Sequence, residues 1–422
     1  MVEEIIKRIK ERSPLGKERL AAFVGGYLSG AIGKEDATRI LRAVCDFGLS
    51  DADAVSLTEV MLESGDRLSF KPRKYLYADK HSTGGVADST TLVIAPIVAA
   101  AGVPFLKMSG RKLGHTGGTI DKLECFSGFR TELSVKEAEA VVDKTGAAII
   151  AQSKDLVPAD KALYKLRDET DTVKSLPLIA SSVVSKKLAS GADVLVLDVK
   201  TGAGAFMDTL EEGKKLAQLM VRILHDSGRQ AAALLSDMNS PLGEGIGGVM
   251  EVIDAIEVLE GKESRLRDLS VAIAGLLIAR AKKVSEKEGQ KEAFSLLKTG
   301  KALAKLKEIV AAQGGSLDLF SKETRTSVTS SVAGTVSAPR SGFVEKIDCV
   351  SLGNLAREFE NAGGFGMTVP VKIGSPVAKG DVIVRLFGET KAPDDMLSAL
   401  SDCFTLSPTP IASLPLVYEI VT

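Results

Sequence analysis

Tryptophan is absent, and histidine occurs only three times and cysteine four times in 422 residues. Cys45, Cys125, Cys349 and Cys403 are scattered with no CxxC pair, which argues against a zinc site or a disulfide framework and for reduced, structural thiols. Neither sign of charge is in surplus: 54 basic against 55 acidic residues give a formal charge of -1. There is no basic stripe interleaved with aromatics, so a nucleic-acid partner is not expected and a small ligand is favoured. No apolar run reaches the roughly 18 residues needed to span a bilayer. The opening MVEEIIKRIKERSPLG lacks the basic-then-apolar pattern of a secretory signal. The expectation is a cytoplasmic protein with no membrane partner.

What is present is ordinary for a globular chain: 45% hydrophobic and 26% charged residues. At about 100 to 200 residues per domain, the length predicts two to four domains. Residues 3 to 67 read as successive amphipathic helices, Lys34 to Phe47 among them. From Tyr75 short apolar runs (YLYA, VPFLKMSG, AAIIAQ, VLVLDV, AAALLSD) alternate with helical stretches, the pattern of a largely parallel sheet. Residues 160 to 190 carry a helical pattern opening around Pro177. After about residue 330 the helices stop, and Gly- and Pro-punctuated strands predict a separate small α+β domain.

Two Gly-rich segments follow predicted strands. Lys80-His-Ser-Thr-Gly-Gly-Val-Ala-Asp-Ser-Thr-Thr91 precedes the apolar helix LVIAPIVAAAG, so free N–H groups at a helix start meet the hydroxyls of Ser82 and Thr91 and the charge of Lys80. That combination suits a phosphate, although a Gly-rich capping turn has the same look. Nothing in it matches Walker A or GxGxxG. Residues 107 to 122 repeat the theme of hydroxyl, glycine and base after the next strand. His81 and His115 fall within these segments, whereas His225 sits on a helical pattern and reads as structural. A third cluster places Tyr164 beside Arg167 and Ser182 beside Lys186 at helical spacing. Such pairs suit a planar polar ligand, but exposed helix cations are more often only solvated.

Taken together, KHSTGG, SGRxLGHTGGTxDKLE, RDxTxTVxSLPLIxxSxxSKK, DVKTGAGAFM, SDMNxPLG and GSPVAKGD resemble the thymidine and pyrimidine-nucleoside phosphorylase family over essentially the whole chain. The resemblance implies a multidomain α/β protein, generally a homodimer. A helical domain (1–70 plus 160–190) would face an α/β domain (71–159 plus 191–330) with a mostly parallel sheet across a cleft, and a C-terminal α+β domain (331–422) would follow. It implies reversible phosphorolysis of uridine, thymidine and deoxyuridine to free base and α-pentose 1-phosphate, with inorganic phosphate as co-substrate and no organic cofactor. Phosphate would be held by Lys80, His81, Ser82, Thr91, Lys107, Met108, Ser109 and Thr119. The pyrimidine would be held by Tyr164, Arg167, Ser182 and Lys186, with His81, Arg167 and Lys186 acting on the leaving base. Lysine rather than methionine at 107 marks the branch that accepts both uridine and thymidine. A potassium ion is implied at Ala87, Ser89, Leu242, Gly245 and Asp254.

The sequence departs from the family pattern at Ala87 and Lys112, each standing where glycine is usual, and at Asp254, where glutamate is usual. Ala87 is tolerable there only if its backbone avoids positive φ. The alternatives are a thymidine-specific enzyme, a catalytically weak nucleoside-binding paralogue, a nucleoside monophosphate phosphorylase and a related phosphoribosyltransferase. The last of these should carry an acidic magnesium site.

Overall fold

The computed structural model describes residues 1–112, 114–152 and 156–422, so Leu113 of the second Gly-rich segment lies outside the described residues. Four helices open the chain: Val2–Lys10, Gly16–Ser29, Lys34–Phe47 and Asp51–Glu63. On the third, Ala37, Ile40, Leu41 and Val44 recur at helical spacing and all four are buried. The fourth is capped by Ser50, whose hydroxyl accepts from the Asp53 N–H. Helices Pro158–Glu169 and Leu176–Ala189 return to this unit, tied to it by the Ser181 hydroxyl on the Ala54 carbonyl (3.1 Å) and the Ala159 N–H on the Ser64 hydroxyl (3.2 Å). The stretch from about residue 160 thus makes hydrogen bonds to the N-terminal helices.

Five parallel strands form the centre: β1 (Ala78–Ser82), β2 (Phe105–Ser109), β3 (Ala147–Ala151), β4 (Val194–Thr201) and β5 (Gln230–Asp237), in the order β5-β4-β1-β2-β3. Every residue of β4 is buried, as in a sheet covered on both faces. One apolar core joins the N-terminal helices to one sheet face, and a second fills the other face. The order of strands reverses beside β1, and such a switch point opens a crevice at the carboxyl ends of the strands.

The sequence places the first strand at YLYA, but it begins at Ala78 and takes in Lys80, His81 and Ser82, which pair with Val196, Leu197 and Asp198 of β4. The backbone ladder extends into the polar segment because those side chains face an internal cavity rather than an apolar layer. Beyond residue 331 the helices do not stop: Cys349–Asn361 and Asp394–Asp402 pack with three- and four-stranded antiparallel sheets around a third core. The boundary at 331 is also crossed twice. Gly245–Ile246 pairs with Gly364–Thr368, and the last strand, Val417–Val421, runs antiparallel along β5. It covers an edge that would otherwise expose unpaired backbone groups. Among the described residues no helix is long and apolar enough to cross a membrane.

Candidate active site

A cavity of about 340 Å³ lies at the carboxyl ends of β1 and β2 and is closed on its far side by the two returning helices. Its described lining carries seven cationic side chains (Lys80, Lys107, Arg111, Arg167, Lys174, Lys186 and Lys187) against one carboxylate, Asp88. That excess of positive charge in a recess favours an anion.

The α/β wall is organised by Asp88. Its carboxylate accepts from the Ser82 hydroxyl (2.6 Å) and the Thr90 hydroxyl, and Thr90 in turn accepts from the Lys80 ammonium (2.6 Å). Lys200 lies 3.7 Å from Asp88 and 2.8 Å from Asp198 and has no exposed side-chain surface. Despite the opposing cost of burial, Lys200, Lys80 and Lys122 hold the Asp88 carboxyl well below its ordinary range. Gly85 gives close approach: a Cβ there would sit 2.8 Å from both Lys200 and Met238 side-chain atoms, which would have to shift. Thr91 lies in the first turn of helix Thr90–Ala100, Ser109 ends β2 and Thr119 heads helix Thr119–Leu123, and all three line the cavity with Met108. The Lys107 ammonium donates to the Lys80 carbonyl (2.8 Å) and lies 4.0 Å from Asp79. Burial and the neighbouring Lys187 push its pKa well down, and burial also lowers that of Lys80. His81 is depressed too, by burial and then by Lys187 and Lys107, so its ring is neutral at pH 7.

The helical wall brings together Tyr164, Arg167, Ser182 and Lys186, all of which line the cavity. Lys186 donates to Asp160 (2.8 Å) and to the Ser182 hydroxyl (3.2 Å), and the Tyr164 ring lies 6.0 Å from its ammonium. Arg167 is more committed than its expected role implies. It donates to the backbone carbonyls of Thr172 (3.3 Å), Val173 (2.7 Å) and Leu178 (3.2 Å), clasping the turn between the two helices. Three of its five N–H donors are thereby used, leaving two for a ligand.

Other sequence expectations divide. His225 is structural, its Nε2 facing the Ala231 carbonyl at 3.3 Å, and His115 does not line the cavity but faces the Gly204 carbonyl at 3.1 Å. Ala87 departs from its condition: its φ is 57°, in the left-handed region that penalises a methyl group by about 1 kcal/mol. Lys112 has an exposed side chain, and its backbone N–H is held by Asp121 (2.6 Å).

The residues implied for potassium meet at one corner, where the Asp254 carboxylate, the Ser89 hydroxyl and the Ala87 carbonyl already have hydrogen-bond partners. Asp254 accepts from Lys262 through Oδ1 (2.9 Å) and from the N–H groups of Glu244 (2.9 Å) and Gly245 (3.4 Å) through Oδ2. The Ser89 hydroxyl donates to Glu251 (3.1 Å), the Ala87 carbonyl accepts from Gly243 N–H (3.1 Å), and Leu242 donates its N–H to the Val86 carbonyl. Among the described residues no group of three His, Cys, Asp or Glu side chains could hold a metal ion. The one carboxylate implied for the ion is thus committed to Lys262 and two backbone N–H groups, which makes the corner a poor match for a metal.

Asp88, Lys187, Lys200 and Asp160 do not stand out in the sequence. Asp88, Lys187 and Lys200 stand inside quoted motifs, but nothing in spacing says that a carboxylate at 88 will gather Ser82, Thr90 and two lysines. Asp160 is buried, and its second oxygen, Oδ1, lacks a partner.

Residues 74–303 match the family model described as the glycosyl transferase family, a/b domain. The chain is 40% identical over 432 aligned residues to a protein of Staphylococcus epidermidis named pyrimidine-nucleoside phosphorylase, covering 99% of each chain. Proteins of the same name from Bacillus subtilis and Geobacillus stearothermophilus are 41% and 38% identical, covering 95% of each chain in the first case, and 99% of this chain and 98% of the relative in the second. A solved anthranilate phosphoribosyltransferase from Thermus thermophilus aligns with a TM-score of 0.60 at 20% identity, covering 73% of this chain and 99% of that one, a likeness of fold. With this cavity, these motifs and these full-length relatives, the chain belongs to the pyrimidine-nucleoside phosphorylase family.

Proposed function

We propose that this protein catalyses the reversible phosphorolysis of pyrimidine nucleosides, transferring a pentose between base and inorganic phosphate. The observation that carries this reading is one cavity with two unlike walls: buried lysines, hydroxyls and a helix start on the α/β side, and Tyr164, Arg167, Ser182 and Lys186 on the helical side. Phosphate would be held by Lys80, Ser82, Thr91, Ser109 and Thr119, with Lys107 and Met108 beside it and His81 between the substrates. The base would be held by Tyr164, Arg167, Ser182 and Lys186.

The base leaves C1′ with growing negative charge, so donors aimed at its carbonyls stabilise the transition state more than the ground state. Lys186 is an ammonium whose orientation is fixed by Asp160 and Ser182. Arg167 brings its two uncommitted N–H groups to the same edge. His81, neutral at pH 7, serves as a hydrogen-bond donor toward the base O2 rather than as a source of a full proton. Phosphate is the nucleophile, so neither serine nor cysteine is required to form a covalent intermediate. Attack opposite the base inverts C1′ and yields the α-pentose 1-phosphate. Substrates on opposite walls imply closure of the cleft during each cycle.

Lys107 supports acceptance of uridine, thymidine and deoxyuridine, its charge offsetting the poorer fit of a 2′-hydroxylated sugar. The four free thiols suit a reducing cytoplasm, and the family resemblance supports a homodimer. The test is release of uracil from uridine and thymine from thymidine, each with and without phosphate. Phosphate-dependent release of both is expected. Release from thymidine alone would overturn the broad specificity, and release from neither would overturn the enzyme reading.

A further inference from the structure

The corner where Val86–Ser89 meets Leu242–Gly245 supports the phosphate loop from behind, because the Ala87 carbonyl is tied to Gly243 and Asp88 follows directly. Two ammonium groups converge on it from different parts of the chain. Lys262, just past helix Gly248–Leu259, bridges Asp254 (2.9 Å), Glu244 (2.8 Å) and Glu257 (3.1 Å). Lys372, from the C-terminal domain, donates to the carbonyls of Gly243 (2.6 Å) and Val369 (3.3 Å). Asp254 packs closely on this backbone: a Cβ on Gly243 would lie 2.4 Å from its Oδ2.

We infer that Lys262 and Lys372 are the internal cations of this corner, so that this chain holds its phosphate loop without a bound monovalent metal. A carbonyl and a carboxylate at the end of a loop attract positive charge from whatever source lies within hydrogen-bond reach, and a tethered ammonium has no concentration dependence. A metal placed beside them would face two like charges and would have to displace hydrogen bonds already made. Lys372 also makes the C-terminal domain a direct support of the phosphate loop, through Gly243 and Ala87.

The full chain is melted, and nucleoside cleavage assayed, in potassium, sodium and tetramethylammonium chloride at equal ionic strength. Melting midpoints are expected to agree within about 1 °C and rates within about twofold, since a metal that does not bind the folded state cannot stabilise it. A saturable rise of roughly 5 °C or more in potassium alone would overturn the inference. Lys372→Met is expected to melt lower in tetramethylammonium chloride and to recover part of the loss in potassium, while Lys372→Arg stays indifferent to the salt. A Lys372→Met protein as stable as the parent in tetramethylammonium would show that the lysine holds nothing, and would also overturn it. If Lys372→Met does not fold, the comparison of salts on the unaltered chain decides alone. The inference presumes the proposed phosphate site, yet melting needs no turnover: a mistaken activity gives no cleavage in any salt, whereas a mistaken inference gives potassium-dependent melting.

Discussion

The two walls of the cavity use charge differently. On the α/β wall, Lys80, Lys200 and Asp198 are buried and joined through ion pairs to one another or to Asp88, whose side chain is 6% exposed, so the groups that would meet phosphate are fixed before it arrives. On the helical wall, Lys186 remains partly exposed and Arg167 gives three donors to its own turn. The first wall is preorganised by ion pairs anchored in a parallel sheet. The second is a pair of helices on which the Lys186 side chain stays 28% exposed. Under the proposed function, the nucleophile would meet the preorganised half and the leaving group the half that would close on it.

Breaking the rigid wall should do the most damage. Asp88→Asn leaves Lys80 without its carboxylate and weakens the partnership of Lys200, so a loss of about 3 kcal/mol in stability is expected, as for a broken buried pair. Turnover should fall by more than about a hundredfold with it. Chemical denaturation and single-turnover rates would measure the two losses, and a stable, active variant would remove Asp88 from the centre of the account. On the other wall, Asp160→Asn should lower kcat by roughly 10-fold to 100-fold through misplacement of Lys186, with little change in phosphate KM. Equal effects on kcat and phosphate KM would contradict the division between the walls.

Lys107→Met sharpens the comparison by removing one charge from the rigid wall. Activity on uridine relative to thymidine should fall by about tenfold. Because burial and Lys187 depress the Lys107 pKa, an anion beside it favours the charged form. Phosphate binding should therefore take up protons and weaken as pH rises. Calorimetry in two buffers of different ionisation enthalpy would show that uptake, and Lys107→Met should reduce it; an unchanged uptake and an unchanged substrate ratio would rule out both roles.

Ala87→Gly carries the smallest effect. Relief of the left-handed methyl should stabilise the chain by about 0.5 to 1 kcal/mol, net of the extra freedom glycine gives the unfolded state. A lower melting midpoint for the glycine variant would contradict the strain.

Much of this architecture is legible in the sequence because burial on both faces forces strands such as VLVLDV and AAALLSD into apolar runs. The ends of those strands are less legible. The first strand begins three residues beyond the start of the YLYA run because its ladder continues through Lys80, His81 and Ser82, which no apolar pattern marks. The pairing of the last strand with β5 leaves no local signal, because the two lie far apart along the chain. The site divides in the same way. The Gly-rich loops and the Arg167, Ser182 and Lys186 cluster are written in motifs, whereas the roles of Asp88 and Lys200, the clasp made by Arg167 and the φ of Ala87 depend on neighbours far along the chain. Lys262 and Lys372, on which the inference about the corner implied for potassium rests, lie outside every motif quoted for the family.

Phosphorus and proton NMR of the product formed from uridine and phosphate bears most directly on a fixed phosphate wall facing a separately held base. The account predicts an α-pentose 1-phosphate appearing in step with free uracil. Free pentose, or the β anomer, would contradict direct attack by a phosphate bound on the wall opposite the base.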